Sequence, residues 1–107
     1  MRFGLSDNDI KQINRIFNQY PEIEKVIIYG SRAKGNFRDG SDIDLTLIGE
    51  GVNLSMLLKI EEEIDDLLLP YTTDLSIFPK IDNPDLIDHI NRVGNIFYKN
   101  PSSKSNK

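Results

Sequence analysis

Residues 25–48 read KVIIYGSRAKGNFRDGSDIDLTLI, two strand-like runs joined by a polar, glycine-punctuated link. Lys25 to Tyr29 is a short run of β-branched and aromatic side chains stopped by Gly30, the pattern of a buried strand. Ile43 to Ile48 alternates apolar with polar side chains and predicts a second strand. The segment between them carries Gly30, Gly35, Gly40 and several cations, too polar for a core, with SRAK able to form a short helix. A link this short fits an antiparallel pair, in which the end of the first strand lies beside the start of the second.

Upstream, Ser6 followed by Asp7 and Asp9 is a helix start, and Ile10, Ile13, Ile16, Phe17 and Tyr20 recur at helical spacing until Pro21. Downstream, Gly49, Gly51 and Asn53 punctuate a turn. Leu54, Leu57, Leu58, Ile64, Leu67 and Leu68 then mark the longest helix, broken at Pro70, with Glu61, Glu62, Glu63, Asp65 and Asp66 as its solvated face. Thr73 to Phe78 predicts a third strand, and a crossover helix of this length makes it parallel to the second. Pro84 to Val93 reads as a closing helix with Gly94 as its stop. The expected architecture is one α/β domain over residues 1–99, a mixed three-stranded sheet flanked by helices, followed by a mobile polar tail over 100–107.

Composition narrows the chemistry. The chain has 107 residues, enough for one compact domain, with 38% hydrophobic and 28% charged residues, ordinary for a globular protein. It has no cysteine and one histidine, His89, which removes thiolate catalysis and leaves a zinc site short of its usual ligands. Net charge is −4, and the basic residues are scattered except for Arg32, Lys34 and Arg38, so no broad footprint for a nucleic-acid backbone is expected. No stretch reaches the roughly 20 apolar residues of a membrane span, and the opening MRFGLSDNDI lacks a signal-peptide pattern, so a cytoplasmic place is expected.

Asp42 and Asp44 stand two apart at the start of the second strand, so both carboxylates leave the same face. Two such charges about 4 Å apart repel by about 1 kcal/mol in water and about 4 kcal/mol at an effective dielectric near 20, a cost that a cation would remove. Oxygen-only ligands favour a hard ion, magnesium or manganese. The strand order brings Asp74, at the start of the third strand, to the same sheet edge as Asp42, Asp44 and the Gly30-Ser31 turn. Gly30 allows close approach and Ser31 opens a helical turn, so backbone N–H groups and a hydroxyl can point at a phosphate. Arg32, Lys34 and Arg38 are candidates to offset further phosphate charge, and Ser41 is a further nucleotide-contact candidate. In-line attack on a nucleotide α-phosphate is the reaction such a site supports. Two rival motifs fail: Asn36 and Phe37 stand where a phosphate-binding loop requires lysine and serine or threonine, and Ile43 occupies a ligand position of an EF-hand. His89 shares a helix face with Leu86, Ile90 and Val93, which favours partial burial or a polar bond at the core's edge over catalysis.

The run YGSRAKGNFRDGSDIDLTLIG, residues 29–49, resembles the signature of the minimal nucleotidyltransferases of the DNA polymerase β superfamily: a glycine-serine pair, then Asp-x-Asp, then a third aspartate after one helix. The resemblance implies that Gly30 and Ser31 contact a triphosphate, that Asp42 and Asp44 coordinate two magnesium ions, and that Asp74 completes the metal site and helps activate the attacking hydroxyl. Proteins of this size resemble the antitoxin half of type VII toxin-antitoxin pairs. The implied partner is a HEPN-domain ribonuclease toxin in a hetero-oligomer, and the implied reaction moves AMP from ATP to a tyrosine of that toxin. The alternatives are an antitoxin that neutralises its toxin by binding alone and a transferase acting on a small molecule.

Overall fold

A computed structural model describes residues 2–38 and 40–101 of the chain. In chain order these form α1 (Asp7–Phe17), β1 (Lys25–Tyr29), α2 (Gly30–Lys34), β2 (Ile43–Ile48), α3 (Leu54–Asp65), β3 (Thr73–Ile77), a 3₁₀ turn (Phe78–Lys80), α4 (Pro84–Val93) and β4 (Asn95–Lys99). The helix starts follow from their caps. Ser6 Oγ accepts from the Asp9 N–H at 3.1 Å, Asn53 Oδ1 from Met56 at 2.9 Å and Asn83 Oδ1 from Asp85 at 2.9 Å, each satisfying a donor the helix cannot.

The sheet runs β3-β2-β1-β4, with β1 antiparallel to β2 and to β4, and β2 parallel to β3. Side chains alternate across it. Val26, Ile28, Ile43, Leu45, Leu47, Leu75 and Ile77 are all buried and form one core with Ile10, Ile13, Ile16 and Phe17 of α1 and Leu57, Ile60 and Ile64 of α3. The opposite face carries Tyr29, Asp44, Thr46, Asp74 and Ser76, and is partly covered by α4, which packs on β1 and α2. One face of the sheet makes the core and the other makes a polar surface.

Four strands replace the three expected. Residues 95–99, NIFYK, continue directly from α4 and pair with β1, with a register shift between Val26 and Ile27 that breaks the alternation a strand needs to be read from sequence. Ile96 stays 47% exposed while the adjacent Phe97 and Tyr98 are both buried. Gly94 ends α4 as anticipated, but in extended conformation. A Cβ there would collide with the Ile90 carbonyl oxygen and with Ile27, so close approach rather than a left-handed backbone requires glycine.

The longest helix is shorter than its leucines suggest. It ends at Asp65, and Leu68 lies beyond it at φ 57, 88% exposed. Leu54 and Leu58 are on the outer face, at 60% and 55% exposed, while Leu57, Ile60 and Ile64 point inward. Phe78 leaves β3 and opens the 3₁₀ turn with Pro79. Asn100, assigned to the tail by its sequence, donates its N–H to the Glu24 carbonyl at 2.8 Å. The rest of that tail beyond Pro101 lies outside the described residues.

Candidate active site

Strand pairing brings the acidic residues together. Asp44 is the register partner of Tyr29 on one side and of Asp74 on the other, so the three side chains leave the same face in a row across β1, β2 and β3. Asp42 stands two residues before Asp44, and the intervening Ile43 donates its N–H to the Thr72 carbonyl at 2.8 Å, extending the β2–β3 pairing to the segment that carries it. Asp42 and Asp74 are exposed and Asp44 is half-buried. Burial pushes the Asp44 carboxyl above its ordinary value, and the charges of Asp74 and Asp42 push it further, against a smaller opposing effect of His89. Burial likewise raises the Tyr29 hydroxyl, against an opposing hydrogen bond with Ser76 and with the charges of Asp44 and Asp74 adding to it. Asp42 and Asp74 both bear on Asp44, although among the described residues no three acidic or histidine side chains already close around a metal position.

Gly30 sits where β1 turns into α2, at φ +76, and a Cβ there would fall inside the contact distance of Asp44 Oδ2. Both its backbone angle and its neighbour require glycine. Its N–H donates to Nε2 of His89 at 3.2 Å, which leaves the imidazole proton on Nδ1 when the ring is neutral. The His89 ring also meets the Tyr29 ring edge-on, with centroids 6.2 Å apart. Ser31, partly exposed, follows Gly30 in α2, and Gly35 closes that turn by donating to the Ser31 carbonyl at 2.9 Å. The Gly30-Ser31 turn, Asp42, Asp44 and Asp74 therefore lie together at one edge of the polar face.

The remaining candidates separate. Lys34 and Arg38 are exposed. Arg32 is 2% exposed, and its guanidinium donates to the carbonyls of Ser41 and Phe3 rather than projecting into the solvent as a loop cation would. Ser41 Oγ accepts from the Arg38 N–H at 2.8 Å and closes the turn ahead of Asp42. His89 was placed by its sequence only at the core's edge; its bond to Gly30 joins it to the site. The signal lay in its being the sole imidazole on an otherwise apolar helix face, and nothing in the spacing named its partner. A surface depression of about 600 Å³ lies elsewhere, between α1 and β4, and its lining includes Lys11, Asn14 and Arg15 but none of the candidate site residues.

No curated protein matches the chain by sequence. Among solved structures, a toxin-antitoxin complex with AMP-PNP is similar at TM-score 0.69 and 17% identity, over 91% of this chain and 76% of that one. A tri-AMPylated Shewanella oneidensis HEPN toxin in complex with its MNT antitoxin is similar at TM-score 0.66 and 12% identity, over 89% of this chain and 73% of that one. The MntA-HepT toxin-antitoxin complex gives TM-score 0.66 at 12% identity, over 88% and 73%. At these identities the likeness is one of fold. The family described as polymerase beta, nucleotidyltransferase matches residues 11–103, nearly the whole chain, and the chain belongs to that family.

Proposed function

We propose that this nucleotidyltransferase moves AMP from ATP to a hydroxyl of a partner protein, and that it serves as the antitoxin of a HEPN-type toxin. The observation that carries the reading is the row Tyr29, Asp44, Asp74 across three strands, with Gly30 packed directly on the Asp44 carboxylate. The solved structures of like fold, one holding an ATP analogue and another an AMPylated toxin, support the choice of nucleotide and acceptor.

The donor set fits magnesium or manganese: all the acidic ligands are hard oxygens, and Nε2 of His89 is already engaged by Gly30. Burial first, and then the charges of Asp74 and Asp42, raise the Asp44 carboxyl, and a cation would relieve the part due to charge. Asp42, Asp44 and Asp74 would hold the ions, which when bound supply charge neutralisation for the entering and leaving oxygens. The chain's own contribution is placement. Gly30 lets the triphosphate approach the backbone, and Ser31 offers a hydroxyl to it. Lys34 and Arg38 add positive charge at the loop. Asp74 takes the proton of the attacking hydroxyl, whose oxygen bonds to the α-phosphorus as pyrophosphate departs.

Incubation with magnesium, ATP and a HEPN-type toxin partner should add an AMP-sized mass to the toxin, and Asp42→Asn, Asp44→Asn and Ser31→Ala should abolish it. Undiminished modification by those variants would remove the proposed site. A second reading, neutralisation by binding alone, draws on the exposed Leu54 and Leu58 of α3, an apolar surface suited to another protein. Rescue of cells from the toxin by Asp42→Asn at ordinary expression would favour it.

A further inference from the structure

A buried guanidinium costs several kcal/mol unless its donors are satisfied. At Arg32 they are. Nε and Nη2 both donate to the Ser41 carbonyl, at 3.1 and 2.9 Å, and Nη1 donates to the Phe3 carbonyl at 2.9 Å. The guanidinium carbon lies 4.7 Å from the Tyr71 ring centroid and 5.2 Å from that of Phe37. These partners come from three places: the amino-terminal turn, the loop before β2, and the approach to β3. One side chain of α2 ties all of them.

The carbonyl gripped by two N–H groups belongs to the peptide that joins Ser41 to Asp42. A peptide unit is planar, so fixing that oxygen fixes the entry of the chain into Asp42. On the far side, the Ile43 N–H is fixed to the Thr72 carbonyl at 2.8 Å. The backbone of Asp42 is held before and after, and its exposed carboxylate is left with side-chain rotation alone.

The turn of residues 2–5 braces this grip. Arg2 and Leu5 exchange backbone hydrogen bonds at 3.1 and 2.8 Å, and Phe3 and Gly4 adopt φ 58 and 73, the left-handed pair of a tight two-residue turn. A Cβ on Gly4 would press on the Phe37 ring and come 2.8 Å from Arg32 Nη1. Leu5, with no exposure, anchors the turn in the core.

We infer that Arg32 is a positioning residue: its buried guanidinium, gripping the Ser41 carbonyl from α2 and braced by the Phe3 carbonyl, sets the place of Asp42 beside Asp44. The role of Asp42 in holding a cation rests on the nucleotidyltransferase reading; its placement by Arg32 does not.

Amide hydrogen exchange of the full chain tests the placement without any ligand. Arg32→Lys keeps the charge and loses the fork. The Ser41 and Ile43 amides should exchange about ten-fold faster, the effect of losing a charge-assisted hydrogen bond, while Ile28 and Leu45 in the sheet are unchanged. Tyr71→Leu, which removes one ring wall and keeps the guanidinium, should move the same two amides in the same direction and by less. In metal binding without nucleotide, Arg32→Lys should need about ten-fold more Mn²⁺, with binding of metal-free ATP unaltered, and raised Mg²⁺ should restore transfer. Unchanged exchange at Ser41 and Ile43 overturns the inference. So does loss of metal-free ATP binding with Mn²⁺ binding intact, which would make Arg32 a phosphate contact. A wild-type protein that binds neither Mn²⁺ nor ATP removes the nucleotidyltransferase reading and leaves the exchange comparison to decide this one.

Discussion

Asp44 and Asp74 are register partners across the parallel β2–β3 pair, so two carboxylates stand on neighbouring strands with no backbone between them. The fold holds the Asp44 carboxylate at a cost: burial raises its carboxyl most, and the charges of Asp74 and Asp42 add to that. A carboxyl raised in the folded state favours folding when protonated, and that contribution fades as the pH climbs from the ordinary carboxylate range through the raised value. Asp44→Asn should therefore raise the melting temperature of the metal-free protein at neutral pH by roughly 2–5 °C, allowing for partial solvent screening. The gain should shrink as the pH is lowered into the carboxylate range. Scanning calorimetry across pH checks this, and equal melting at neutral pH would show that the carboxylates do not crowd.

Gly30 and Gly35 share a left-handed backbone, at φ 76 and 88, but only Gly30 has a neighbour where a Cβ would go. Gly35→Ala should cost about 1–2 kcal/mol for the backbone alone and keep nucleotide binding. Gly30→Ala adds displacement of Asp44 and should abolish transfer as well as lower stability. Denaturant melts and ATP titration of the two variants separate strain from site damage.

The bond from Gly30 to His89 crosses 59 residues of sequence and fixes the first peptide of α2. His89→Gln keeps an acceptor near the same place, whereas His89→Phe keeps the ring contact with Tyr29 and loses the bond. Transfer by the phenylalanine variant should fall about ten-fold, the worth of one hydrogen bond of ordinary strength, with the glutamine variant close to wild type. Equal rates for both would assign His89 to packing.

Leu57 and Leu58 are adjacent in α3, and only the first is buried, at 8% against 55% exposed. Leu57→Ala should cost about 2–4 kcal/mol, and Leu58→Ala less than about 0.5 kcal/mol. Leu58→Glu should leave the melt intact and weaken association with a HEPN-type toxin of the proposed function, measured by calorimetric titration. A stability loss at Leu58 equal to that at Leu57 would contradict the helix orientation described above.

Strand order was legible because the local signals agreed. A β-branched run ending at Gly30, an alternating run from Ile43 and one helix-length crossover were enough to place Asp74 beside Asp42 and Asp44. What escaped the sequence depends on contacts between distant segments. β4 hides because a bulge breaks its alternation. Arg32 reads as a loop cation because the rings that wall it, Phe37 and Tyr71, and the Phe3 carbonyl that accepts from it lie elsewhere in the chain. The inward face of α3 was ambiguous because leucines occupy both of its sides, and the fit against the sheet chose Leu57, Ile60 and Ile64.

β3 is the last strand on its side of the sheet, and Asp74 is exposed on it. The acidic row therefore opens sideways onto the rim of the domain instead of lying at the bottom of a crevice. For the transfer proposed above, an acceptor would meet one wall made by the described residues and supply the opposite wall itself, as the surface of a folded protein can.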